Sequence, residues 1–205
     1  LLASCSPGTK ADPSHINNSA PGDLTQSAAK PKTLQGDYGV HLENKTVFMG
    51  ALNDESGGPG SGGTDFANGK RVLARWIASG TSELLPEGWK LELVERDHSG
   101  DSAKAAKAYN EIKDQVLCFA TAYGDASITT LLRMLKEDDV LIFPALFTST
   151  MALNEYTPPS GPSYRDQALR ALDWAKETAG SKEVVPGAIY GADSYGKDAL
   201  SGWSQ

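Results

Sequence analysis

Cysteine is nearly missing from this 205-residue chain: only Cys5 and Cys118 occur. Two thiols close at most one disulfide, so no disulfide framework can hold the fold together. A packed core must do that work, and hydrophobic residues at 40% of the chain are enough to build one. Histidine is also scarce. His15, His41 and His98 lie far apart, whereas a metal site needs clustered ligands. Basic residues are outnumbered: 19 Lys and Arg against 26 Asp and Glu give a formal net charge of -7 and a pI near 5.0. That balance disfavours nucleic-acid binding, which usually needs a basic face. No run of 18 apolar residues occurs, so no membrane-spanning helix is expected.

The two cysteines sit in different contexts, which argues against pairing them. Cys118 lies inside the apolar run Val116-Leu117-Cys118-Phe119-Ala120 and reads as a small buried thiol. Cys5 ends Leu1-Leu2-Ala3-Ser4-Cys5, which resembles the lipobox of bacterial lipoproteins: a leucine, two small residues, then cysteine. The resemblance implies that residues 1–5 end a signal peptide and that Cys5 carries lipid. The protein would then sit on the extracytoplasmic face of a bacterial cell envelope, held to the membrane by the anchor alone. Residues 6–43 are rich in Ser, Pro, Gly, Ala, Lys and Asp and lack apolar periodicity. Such a segment is too polar to bury itself and reads as a flexible tether.

From residue 45 onward, strand and helix patterns alternate. A near-continuous apolar run over 45–52 (Val47, Phe48, Met49, Ala51, Leu52) suits a strand covered on both faces. A helix from about 64 puts Phe66, Leu73, Trp76 and Ile77 on one stripe and stops at Gly80. A strand over 89–96 follows, with Leu91, Leu93 and Val94 as its core. Asp101 or Ser102 can cap the next helix, on which Ala105, Tyr109 and Ile112 recur. A strand over 116–120 leads to a helix with Ile128, Leu131, Leu132 and Leu135 on one face. A fourth strand, 140–143, closes at Pro144. A capping box from Ser163 to Asp166 opens a helix lined by Ala168, Leu172 and Ala175, which Gly180 ends. A fifth strand is expected within 183–190 and a further helix near 196. This order predicts an α/β fold, a parallel sheet in three layers with helices on both faces. Pro158-Pro159-Ser160-Gly161-Pro162 breaks the pattern and marks a crossover between a first unit, 44–160, and the start of a second, 161–205.

Parallel sheets bind ligands at the carboxyl ends of their strands, so the loops there carry the candidate chemistry. Gly58-Pro59-Gly60-Ser61-Gly62-Gly63 matches G-x-G-x-x-G, yet several residues separate it from the strand, and the acidic residue expected downstream is replaced by Ala78-Ser79-Gly80-Thr81. A nicotinamide-dependent dehydrogenase is thereby disfavoured. No Walker loop, nucleophile elbow or catalytic set emerges, and no cofactor is expected. A binding pattern does emerge. Tyr123, Gly124, Asp125, Ala126 and Ser127 span the turn from the third strand into its helix, where unpaired backbone N–H groups attract a polar ligand. Asp125 or Ser127 serves equally well as a simple helix cap. Ala145, Phe147 and Thr148 follow the fourth strand and form an adjacent wall, and Tyr195 can cover a ligand from across the crossover.

Several segments taken in order resemble the type I periplasmic binding proteins, specifically the branched-chain amino-acid (leucine-family) substrate-binding proteins of ABC transporters. They are Gly50-Ala51-Leu52-Asn53-Asp54-Glu55-Ser56-Gly57-Gly58-Pro59, Leu91-Glu92-Leu93-Val94-Glu95-Arg96-Asp97-His98, Ser163-Tyr164-Arg165-Asp166, and Tyr190-Gly191-Ala192-Asp193-Ser194-Tyr195-Gly196. The resemblance covers nearly all of 45–205. It implies two Rossmann-like lobes closing on an amino acid or small amide, with an ABC permease as partner. A sensory ligand-binding domain of the same fold is the alternative. Residues 123–127 and 145–148 fall where the family holds the ligand's head group, and Tyr195 where an aromatic packs on it. Gly124 and Phe147 stand where the family often has Ser or Thr, a departure from a plain leucine-type site. The resemblance also implies a chain shortened at both ends, with lobe 1 followed by only the opening of lobe 2, and hence weak or no binding by residues 1–205 alone.

Overall fold

A computed structural model describes residues 36–58, 62–180, 183 and 185–204. Cys5, the lipobox and most of the tether lie outside these residues. One sheet holds five strands: β1 Val40–His41, β2 Thr46–Asn53, β3 Lys90–Asp97, β4 Phe119–Ala122 and β5 Ile142–Pro144. The helices among the described residues are α1 Gly63–Ala78, α2 Ser102–Ile112, α3 Asp125–Asp138, α4 Ser149–Ala152, α5 Tyr164–Ala179 and α6 Ser194–Trp203.

β2 is the spine of the sheet. It pairs in parallel with β3 from Thr46↔Lys90 to Asn53↔Asp97. Along its other edge it pairs in parallel with β4, at Gly50↔Phe119 and Leu52↔Ala122. β4 in turn pairs in parallel with β5. The spatial order β3-β2-β4-β5 therefore reverses direction at β2, which creates a crevice at the carboxyl ends of the strands. β1 is the antiparallel exception. It pairs at Val40↔Val47 and so lies inside the segment read as tether.

Alternate β2 and β3 residues face opposite layers. On one side Leu52, and more peripherally Phe48 and Val94, join Tyr109, Ile112, Phe119, Ile128, Leu131, Leu135 and Ile142 in a core beneath α2 and α3. Each fully buried side chain of this kind contributes about 1.5–3 kcal/mol. On the other side α1 lies over Leu91 and Leu93. The α/β, three-layer expectation thus describes the molecule. The stripe expected on α1 does not: Phe66, Leu73 and Trp76 are exposed, and the buried face is Gly63, Ala67, Ala74 and Ile77. Small residues win because the helix sits tight against the chain. A Cβ on Gly63 would come within 1.9 Å of the Asp54 carbonyl oxygen.

Other differences follow from pairing. The third strand begins at Phe119 rather than 116, because residues 113–115 still form a 3-10 turn. Cys118 is only half-buried and is a free thiol, its pKa raised by that burial. The fifth strand expected within 183–190 is not formed. Val185, Ile189 and Tyr190 are exposed, and among the described residues no strand lies alongside to share their hydrogen bonds.

Caps fix the helix starts. Asp101 accepts from the Lys104 N–H at 2.8 Å, as the sequence predicts. Ser163 accepts from the Asp166 N–H at 3.1 Å and donates its own hydroxyl to Asp166 Oδ2 at 2.7 Å. Such caps contribute about 1 kcal/mol each. α5 and α6 cross at Gly202, where a Cβ would meet the Arg165 carbonyl oxygen at 2.4 Å.

At Gly50 the β2–β4 register shifts, and a Cβ there would sit 2.6 Å from the ring of the fully buried Phe119. Gly50→Ala is therefore expected to cost about 1–3 kcal/mol. Denaturant unfolding of the two proteins measures it, and an unchanged midpoint would show that the ring has room to move.

Candidate functional site

The loops after β4 and β5 start side by side because their strands are paired. Tyr123 donates its N–H to the Leu52 carbonyl at 3.1 Å, and Ala145 donates to the Ala122 carbonyl at 2.9 Å. Gly124 then turns at φ +97°, a conformation that L side chains rarely adopt, and becomes the N-cap of α3. That helix start has no side-chain cap, so no side chain satisfies its first N–H groups.

The second half of the site comes from beyond the crossover. Tyr164, the first residue of α5, donates its N–H to the Phe147 carbonyl at 2.7 Å. α6 is capped by Asp193, which accepts from the Gly196 N–H at 2.8 Å. Asp198 locks the two halves together. One carboxylate oxygen accepts from the Ser149 N–H and the other from the Arg165 N–H, each at 3.1 Å.

The result is a cavity of about 390 Å³ lined by Tyr123, Gly124, Asp125, Ala145, Leu146, Tyr164, Asp193, Ser194 and Tyr195. Its size suits a small organic molecule. A groove of about 640 Å³ beside Arg170 and Trp174 is larger, but it runs along the exposed face of α5, away from the strand ends. The tyrosines are braced by other rings. Tyr164 meets Tyr195 edge-on at 4.4 Å and Phe147 at 5.9 Å, while Tyr123 lies 5.6 Å from Phe66. Burial, and secondarily the charge of Asp193, pushes the Asp125 carboxyl above its usual range. Burial likewise raises the Tyr164 phenol, so it stays protonated at neutral pH.

Of the residues singled out from sequence, Tyr123, Gly124, Asp125, Ala145 and Tyr195 meet in this cavity. Four do not line it. Ala126 points to solvent. Ser127 is buried below, its hydroxyl 3.4 Å from His98 Nδ1. Phe147 stands behind Tyr164, and Thr148 is buried as the cap of α4, accepting from the Met151 N–H at 3.4 Å. Leu146 lies within the stretch 145–148 read from sequence and lines the cavity; sequence reasoning missed Tyr164, Asp193 and Ser194 as lining residues, although Asp193 and Tyr164 were legible as a cap and a helix start. His98 opens the turn after β3, its carbonyl accepting from the Asp101 N–H at 2.9 Å. His98 is fully buried, and its Nδ1 accepts from the Gly100 N–H at 3.1 Å, which puts the ring proton on Nε2.

A family model described as "Periplasmic binding protein" matches residues 46–205. The chain belongs to the periplasmic binding protein family. Similar solved structures of this architecture include a fatty acid ABC transporter substrate-binding protein from Thermomonospora curvata, at 23% identity and TM-score 0.68, the match covering 86% of this chain and 44% of that one. A branched-chain amino acid ABC transporter protein from Thermus thermophilus with bound valine matches at 15% identity and TM-score 0.64, over 78% of this chain and 42% of that one. A solute-binding protein of an ABC transporter from Rhodopseudomonas palustris BisB5, in complex with 3,4-dihydroxybenzoic acid, matches at 18% identity and TM-score 0.62, over 78% and 43%. The chain thus spans less than half the length of these structures. No curated protein matches it.

Within this family fold, the loop after β2 is held at the crevice edge by charge. Arg71 grips Glu55 with two nitrogens, at 2.7 and 3.0 Å, and Glu95 with its Nε at 2.8 Å. Lys70 bonds Asn53 Oδ1, and its burial pushes its pKa down to about 8. The Arg71 guanidinium holds the Glu55 carboxyl below its usual 4.5. A carboxyl depressed on folding adds stability above its unfolded pKa and loses it as pH falls through the folded value. Acid unfolding should therefore show a loss of stability beginning near pH 4.5 and continuing below it, and Glu55→Gln should flatten that part of the profile. A Gln variant with the parent slope would place the sensitivity elsewhere.

Proposed function

We propose that this chain forms part of the solute-binding receptor of an ABC importer, capturing an amino acid or small amide between two lobes. Residues 44–160 are lobe 1, and 161–205 open lobe 2. One observation carries the reading: the loops after β4 and β5 and the starts of α5 and α6 converge on a single cavity at the carboxyl ends of a parallel sheet. The chemistry is capture, not catalysis. The lobes close on a solute because it contacts both in the closed state and only one in the open state. The closed form is the one an ABC permease recognises. Tyr123, Gly124 and Asp125 with Ala145 give the lobe 1 face, and Tyr195 the facing aromatic. Ser127, Phe147 and Thr148 support that face from behind, and Ala126 lies exposed beside it. The lipobox at Cys5 supports a lipid anchor holding the receptor on the extracytoplasmic side of the envelope.

Calorimetric titration of the complete gene product with a panel of amino acids, amides, amines and carboxylates tests this. One solute should give a saturable one-to-one response, and Tyr195→Ala should weaken it about tenfold or more, as loss of a ring contact together with its buried area does. Absence of any response across the panel would refute the receptor reading.

A further inference from the structure

Taking the cleft as the solute site, as proposed above, we infer that its solute is recognised through a protonated nitrogen, as in an amine or an amino-acid amide, and not through a carboxylate. Among the described residues the cavity wall holds two carboxylates, Asp125 and Asp193, and no Lys, Arg or His. Three helix starts, those of α3, α5 and α6, also line it, and each carries roughly half a positive charge, which by itself would draw an anion. Together those ends offset about one and a half of the two negative charges, so the site keeps a small net negative field. Asp193 moreover spends one oxygen on the Gly196 N–H of its own helix. Asp125 is not the cap of α3, where Gly124 stands, and its carboxyl has one side-chain hydrogen bond, with Thr129. Burial and the neighbouring Asp193 both disfavour its ionised form, and a bound cation relieves both.

The tyrosines complete the match. Tyr123, Tyr164 and Tyr195 stand around the same volume, and Tyr164 and Tyr195 meet edge to face. Aromatic faces attract ammonium groups within about 6 Å of the ring. Leu146 and the ring surfaces leave room for an apolar body attached to the charged head. Gly124 offers no side-chain donor for a carboxylate at this turn, and its φ of +97° is a conformation that L side chains rarely adopt.

The test is calorimetry on the complete gene product with probes matched in shape and opposed in charge: phenethylamine, phenylalaninamide and hexylamine against 3-phenylpropionate and hexanoate. The cations should bind about a hundredfold or more tighter than the matched acids, as a low-dielectric site of one sign demands. Asp125→Asn should weaken phenethylamine at least about tenfold and narrow the gap to 3-phenylpropionate. Circular dichroism and an unchanged melting curve confirm that the variant is folded. Asp193→Asn, which keeps a capping side chain, supplies the second arm and should act in the same direction. Tighter binding of the acids, or an amine-to-acid ratio unmoved by both variants, would overturn the charge assignment while leaving the receptor reading intact. If none of these probes binds but another solute in the wider panel does, a cationic solute supports the assignment and an anionic or neutral one overturns it. No binding by any solute would overturn both.

Discussion

Everything in this molecule hangs on the burial of β2 along both faces and both edges. Its pairing with β3 and β4 fixes where three strands end, and the ends create the crevice. The register is enforced by contacts that leave little choice. Gly50 gives way to the Phe119 ring, and Leu52 enters the core below α2 and α3. A slip of one residue would turn Leu52 and Phe48 toward the opposite layer, so the position of Tyr123 and Gly124 follows from the packing of residues well below them.

The crevice is closed on its far side by chain from beyond the crossover, and polar contacts set that docking. Asp198 reaches from α6 to the backbone of both Ser149 and Arg165, and Tyr164 bonds the Phe147 carbonyl. Such directed hydrogen bonds fix the relative placement of the elements they join. The rings of Phe147, Tyr164 and Tyr195 form a continuous aromatic wall across this junction. That wall and the two carboxylates give the cleft its chemical character.

The fold was legible because apolar periodicity reports burial, and burial is what a sheet covered on both faces enforces. Ala105, Tyr109, Ile112, Ile128, Leu131 and Leu135 were readable for that reason. α1 was misread because period alone does not tell which side of a helix is pressed inward. There, close approach favours Ala67 and Gly63, while Phe66, Leu73 and Trp76 remain outside. The fifth strand was misread because an apolar run becomes a strand only when a neighbour shares its hydrogen bonds. In the site, strand-end loops were foreseeable from topology, so Tyr123, Gly124 and Ala145 were found. Tyr164 and Asp193 were not, since their places depend on how distant elements dock.

Hydrogen exchange on the complete gene product, with and without a solute shown by calorimetry to bind, tests the central claim most directly. Capture between two lobes predicts added protection at residues 123–127, 145–148 and 191–196 together, because one closing cleft orders all three. Protection confined to one of these segments, or located away from the strand ends, would contradict the account.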